Sequence, residues 1–163
     1  MDLSQARWRR SRLSALLAGC FLLLFVSASA PAETAHWLTD FSAALKEAKA
    51  QNKLVLINFT GSDWCPWCQK LDKEVFTTPD FQKYAKEHLV LVEADFPQRK
   101  PQSEALKRQN QELADRYQVE SFPTIVLLDP EGQPLASLGY MPGGPRPFLD
   151  KLEQYRRKSA VGG

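Results

Sequence analysis

The chain has 163 residues, 44% hydrophobic and 25% charged, which suffices for one packed domain and a leader. Four of its 21 basic residues and one of its 19 acidic residues fall in the first 32 positions, so the remainder carries a net charge of −1. A near-neutral body has no basic footprint for nucleic acid, and that class of function is excluded.

The chain opens with the parts of a secretion signal in order. Arg7 to Arg12 are basic, Leu13 to Val26 form an uncharged apolar run, and the small residues Ser27, Ala28, Ser29 and Ala30 follow. Residues 1–32 are therefore expected to be removed, with cleavage after Ala32 and a mature domain of residues 33–163. Cleavage after Ala30 is disfavoured because Pro31 would follow the scissile bond. Leu17-Ala18-Gly19-Cys20 also fits a bacterial lipoprotein signal, in which Cys20 would carry the lipid, and an uncut segment would serve as an anchor. Every version places the domain across the inner membrane, in the periplasm of a bacterial cell.

Thr39 or Asp40 can cap a helix with Phe41, Ala44, Leu45 and Ala48 on one stripe, ending at Asn52-Lys53. Leu54 to Phe59 is the apolar run expected of a strand covered on both faces. Thr60-Gly61-Ser62-Asp63 then turns into Cys65-Pro66-Trp67-Cys68, and a helix is predicted from about Cys65 to Val75. Thr78-Pro79 restarts a helix through His88, Leu89 to Ala94 is a second strand, and Gln98 to Gln102 is a polar loop. A helix over 103–117 is expected to bury Leu106, Leu113 and Tyr117. Thr124 to Leu128 and Pro134 to Tyr140 are strands joined by the turn Asp129-Pro130-Glu131-Gly132. Met141 to Pro147 reads as a loop before a last helix carrying Phe148, Leu149 and Leu152. This order predicts an α/β fold, a central mixed sheet with helices on both faces.

With Cys20 in the leader, Cys65 and Cys68 are the two cysteines of the mature chain. A dithiol placed between an apolar strand and a helix start is the geometry of thiol–disulfide exchange. Unpaired N–H groups at the helix start favour the thiolate, which is the attacking species. Cys65 is expected to lie exposed at that start as the attacking thiol, with Cys68 one turn in, more buried, as the resolving thiol. A structural Cys65–Cys68 bridge explains the spacing poorly, because so short a loop removes little chain entropy. Zinc would need further ligands, and the two histidines, His36 and His88, lie far from the motif in sequence, so no metal site is expected. Two other classes stay open: a copper-handling module using the same thiolates, and a redox-silent interaction protein.

Trp64-Cys65-x-x-Cys68 after the strand, Phe122-Pro123-Thr124 at the start of a later strand, and the Asp129-x-x-Gly132 hairpin together resemble the thioredoxin superfamily over about residues 36–158. The runs Phe59 to Cys65 and Gly139-Tyr140-x-Pro142-Gly143 look most like secreted bacterial thioredoxin-like proteins and, more distantly, the C-terminal domain of the electron transporter DsbD. The resemblance implies a thioredoxin-like fold and a redox-active Cys65–Cys68 disulfide. It also implies a cis Phe122-Pro123 bond and a partner-binding rim of Trp64, Trp67, Phe122 and Pro123. Protein thiols and disulfides would be the partners, with a membrane electron donor behind them, and no cofactor is required because the dithiol is the redox group. Two departures stand out. Asn58 takes the place of the family's buried aspartate, leaving Glu93, Asp63 or water to accept the Cys68 proton. The connection from Phe96 to Gln118 is longer than in thioredoxin. Proline after the first cysteine resembles glutaredoxin and the oxidase DsbA, whereas the rest of the chain resembles the reducing branch.

Overall fold

A computed structural model of the chain describes residues 34–162. The expected secretion signal, residues 1–32 with Cys20, lies outside the described residues. The elements are β1 (Trp37–Leu38), α1 (Phe41–Gln51), β2 (Leu54–Thr60), α2 (Pro66–Leu71), a π-helical turn (Asp72–Phe76), α3 (Pro79–His88), β3 (Leu89–Asp95), α4 (Glu104–Arg116), β4 (Thr124–Leu128), β5 (Pro134–Leu138) and α5 (Pro145–Gly162). They build one five-stranded sheet in the order β1-β3-β2-β4-β5. β1, β3 and β2 run parallel, while β4 is antiparallel to both β2 and β5. The predicted mixed sheet with helices on both faces is the fold observed.

The period of two along the central strands sorts their side chains into two cores. Val55, Ile57 and Phe59 of β2 pack with Phe41, Ala44 and Ala48 of α1 and with Leu113 and Ala114 of α4. Leu54 and Leu56 face the opposite side, with Leu71, Val75, Phe76, Phe81, Phe148 and Leu152. Asn58 continues that second series, so it lies on the side covered by the helix that carries the dithiol.

Of the two caps offered for α1 the structure uses Asp40, which accepts the N–H of Ala43, and Thr78 accepts that of Phe81; Ser103 caps α4 by accepting the N–H of Leu106. Four details differ from expectation. The helix after the dithiol cannot run on into Pro79, and its last turn widens: Thr77 N–H reaches Asp72 O at 3.0 Å. In α4 the buried residues are Asn110, Leu113 and Ala114, while Leu106 and Tyr117 are half-buried. Asn110 is tolerated inside because its amide donates to Asp95 O at 2.9 Å. α5 starts at Pro145, inside the predicted loop, because proline is accepted in a first helical turn. β1 was not predicted; two residues are too short to show a period, and the Trp37 ring, 5.2 Å from Phe76, holds the strand in place.

α5 is clamped to α3 through Glu153. Its carboxylate accepts from Tyr84 Oη at 3.3 Å, from Arg156 at 2.7 and 2.8 Å and from Arg157 at 2.8 Å. The arginines, Arg156 first, pull its pKa from 4.5 to about 2. A depressed carboxylate pKa adds stability above the unfolded value that is lost as pH falls through the folded one. We expect Glu153→Gln to cost about 1 kcal/mol at pH 7, a figure reduced for solvent screening. The difference from wild type should shrink between pH 4.5 and about 2, as followed by urea denaturation at several pH values.

Candidate active site

β2 delivers the chain to a tight corner. Gly61 O accepts the N–H of Trp64 at 3.2 Å and of Cys65 at 2.8 Å. A Cβ on Gly61 would sit 2.4 Å from the Trp64 ring, so the corner requires glycine. Cys65 is the N-cap of α2, and Pro66 takes the first helical position. The two cysteines form a disulfide, with Cα atoms 5.3 Å apart. Cys68 N–H points at Cys65 Sγ, 3.1 Å away. The expectation that Cys65 is the more exposed of the two is corrected here: Cys65 is 4% and Cys68 5% exposed. In the disulfide both sulfurs share one short loop, and the corner that holds Cys65 also shields it.

One wall of the site is aromatic. Trp64, half-buried, donates its indole N–H to Phe96 O at 2.7 Å and meets Phe122 edge-on at 5.7 Å, and Phe96 packs on Phe122 at 5.1 Å. The Phe122-Pro123 bond is cis, as expected. Phe59 and Thr124 are register partners, so Phe122-Pro123 lies beside the end of β2 from which the dithiol corner departs. On the other side Trp67 is 55% exposed, its ring 5.2 Å from Tyr140. Lys70 Nζ lies 5.1 Å from both rings, and Tyr140 Oη donates to Glu74 at 2.6 Å. The structure therefore brings Trp64 and Phe122 into direct contact and leaves Trp67 on a separate rim.

The long connection after β3 is laced to the dithiol corner. The Asp63 carboxylate accepts the N–H of Gln98, Arg99 and Lys100 at 3.0, 2.7 and 3.0 Å. These bonds, the Gln98 one foremost, hold its pKa below the usual carboxylate range. Ser62 donates its N–H and its hydroxyl to Asp95, and Lys100 Nζ reaches Ser62 Oγ at 3.1 Å. Phe96, Asp95, Lys100, Lys70 and Tyr140 were missed as parts of this neighbourhood. Lys70 lies one turn after Trp67 on α2, while the other four arrive through pairing across strands or loops and carry no local pattern.

On the sheet face under α2, Asn58 is 8% exposed and its Oδ1 has no hydrogen-bond partner among the described residues. Its register partner on β3 is Glu93. Burial raises the Glu93 pKa, Asp95 and Asp72 add to the rise, and Lys100 opposes it.

A mixed sheet of this order, with a disulfide at the corner between β2 and the following helix and a cis-proline turn beside it, is that of a thiol–disulfide oxidoreductase of the thioredoxin type. The chain belongs to the thioredoxin-like domain family, whose pattern matches residues 41–156. It is 40% identical to the disulfide bond reductase DsbH of Chlamydia pneumoniae over 114 residues, 70% of this chain and 69% of that protein. A solved DsbH oxidoreductase structure superposes with a TM-score of 0.73 at 36% identity, covering 80% of this chain and 91% of that one. Identity to the thiol:disulfide interchange protein DsbD of Vibrio cholerae is 32% over 72% of this chain, which spans only 18% of that longer protein.

Proposed function

We propose that the protein is exported and reduces disulfides in other proteins outside the cytoplasm. Cys65 attacks one sulfur of the partner's disulfide as thiolate; that disulfide bond breaks, its other sulfur leaves as a thiolate, and a mixed disulfide with Cys65 forms. Cys68 then attacks Cys65 Sγ, closes the internal disulfide and releases the partner's sulfur as a thiol. The observation that carries this reading is Cys68 N–H aimed at Cys65 Sγ, a donor that would stabilise negative charge on the attacking sulfur. Trp64, Trp67, Phe122 and Pro123 would frame the partner segment, the backbone of Phe122 pairing with it as an added strand. The likeness to a disulfide bond reductase supports the reducing direction, and the leader of residues 1–32 supports export. A membrane protein of the DsbD kind would return electrons.

The potential of the Cys65–Cys68 couple, measured against glutathione, tests the direction. We expect a value near that of thioredoxin, about −270 mV, whereas one near about −120 mV would make the protein an oxidant. Mass spectrometry of protein from a secreting host tests the export step. A mature N-terminus near Glu33 is expected, and a diacylated Cys20 would tie the dithiol to a membrane surface instead.

A further inference from the structure

A partner joined to Cys65, as the exchange reading on which this inference rests requires, lays its chain against Phe122. The Phe122 ring packs on Phe96 at 5.1 Å, so the loop that leaves Phe96 borders that path. Gln98, Arg99 and Lys100 of this loop are exposed, yet one side chain holds their backbone. Asp63 Oδ1 accepts the N–H of Gln98 at 3.0 Å, and Oδ2 accepts those of Arg99 and Lys100 at 2.7 and 3.0 Å. Three successive N–H groups make a concavity for an anion, and the Asp63 carboxylate fills it. The loop is thereby seated on the dithiol corner, where Asp63 lies two residues before Cys65.

The charges around the dithiol are unequally committed. Lys100 Nζ reaches Ser62 Oγ at 3.1 Å, and Asp95 accepts the Ser62 N–H and hydroxyl. On the opposite rim Lys70 lies 3.9 Å from Glu74 and over the Trp67 and Tyr140 rings. The Arg99 guanidinium makes no hydrogen bond or ion pair among the described residues. Its charge still acts on the Asp63 carboxylate, which keeps it near the corner. Arg99 is an exposed cation on a backbone that Asp63 fixes.

We propose that Gln98 to Lys100 form a partner-reading edge held by Asp63, in which the Arg99 guanidinium takes an acidic side chain flanking the partner's disulfide. A carboxylate suits Arg99 because the guanidinium presents paired N–H groups to both of its oxygens. Such a contact steers the encounter and sets the partner's orientation. Asp63 adds to it by holding the loop before the partner arrives, since ordering a loop on binding subtracts from affinity. Arg99 is a specificity residue and Asp63 a positioning residue; neither exchanges an electron or a proton with the sulfurs.

The test mixes reduced protein with two symmetrical peptide disulfides that differ only in whether glutamate or lysine flanks the cysteine. Release of peptide thiol gives a second-order rate for each. Each rate is divided by that peptide's rate with mercaptoethanol, whose only charge is its thiolate. At low salt we expect the normalised rate to favour the glutamate peptide about fivefold. Arg99→Glu should reverse the preference, and Arg99→Lys should keep part of it. In about 1 M salt, where charges are screened beyond about 3 Å, the preference should fade. Asp63→Asn turns an amide donor toward the three N–H groups and should bring the two rates together while leaving Arg99 in the chain. The ratio cancels any loss of folded protein or of thiol reactivity, so a merely structural role for Asp63 would not move it. Equal normalised rates in the wild type, or an unchanged preference in Arg99→Glu, would overturn the proposal. A full preference in Asp63→Asn would overturn the part given to Asp63. Should Asp63→Asn fail to fold, the exposed Arg99 variants still decide whether the edge reads charge. A wild-type protein that reduces neither peptide would sink the exchange reading itself, whereas equal reduction of both would leave that reading standing and remove only the edge.

Discussion

Cys68→Ala is expected to convert the protein from a catalyst into a trap, with partner proteins held on Cys65 as mixed disulfides that survive a non-reducing gel. In the wild type Cys68 lies three residues from Cys65 with its sulfur already in bonding position. Well-oriented intramolecular groups reach effective concentrations of about 10⁵ M or more. Without Cys68, resolution depends on millimolar thiols in solution, and the intermediate accumulates. Insulin reduction should then fall to background while adducts appear. Cys65→Ala should also be inactive, but without adducts, because the remaining sulfur lies one turn inside the helix and lacks the N–H directed at Cys65 Sγ. Adducts in Cys65→Ala and none in Cys68→Ala would reverse the assignment of attacking and resolving thiols.

The largest effect on stability is expected at Phe76. Its ring is 2% exposed and meets Trp37 at 5.2 Å, Phe81 at 4.9 Å and Phe148 at 5.8 Å. These contacts join β1, α3 and α5 to the segment that follows the dithiol helix. Truncation would remove the ring's transfer energy and leave a cavity bordered by three other aromatic rings. Phe76→Ala should cost about 3–5 kcal/mol, a large share of the roughly 5–15 kcal/mol that holds a domain folded. Urea denaturation would show this as a lower midpoint with an unchanged slope. Phe76→Leu, which keeps most of the volume, should lose far less. Exchange per folded molecule should change little, because Phe76 lies about two turns beyond the dithiol. A loss below about 1 kcal/mol in Phe76→Ala would show that the surrounding rings close the gap.

The sequence by itself determined the local parts of this protein. Leu54 to Phe59 read as a strand buried on both faces and Leu89 to Ala94 as a second strand, because a short, almost fully apolar run leaves little else. Thr39 or Asp40 and Thr78-Pro79 marked helix starts, because a cap is satisfied within three residues of itself. The dithiol and Phe122-Pro123 were legible for the same reason: their chemistry is written in adjacent residues. Tertiary structure decided whatever depends on residues far apart along the chain. Asp63 reads locally as a turn residue, and only the fold brings Gln98, Arg99 and Lys100 onto its carboxylate. Tyr140 became a neighbour of Trp67 through the return of β5 and the loop beyond it. The choice among Glu93, Asp63 and water stood open in the sequence. Parallel pairing of β2 with β3 set Glu93 beside Asn58, and three backbone N–H groups reached Asp63. Even the relative exposure of Cys65 and Cys68 followed from packing, because a helix position specifies a direction and the surrounding corner determines what covers it.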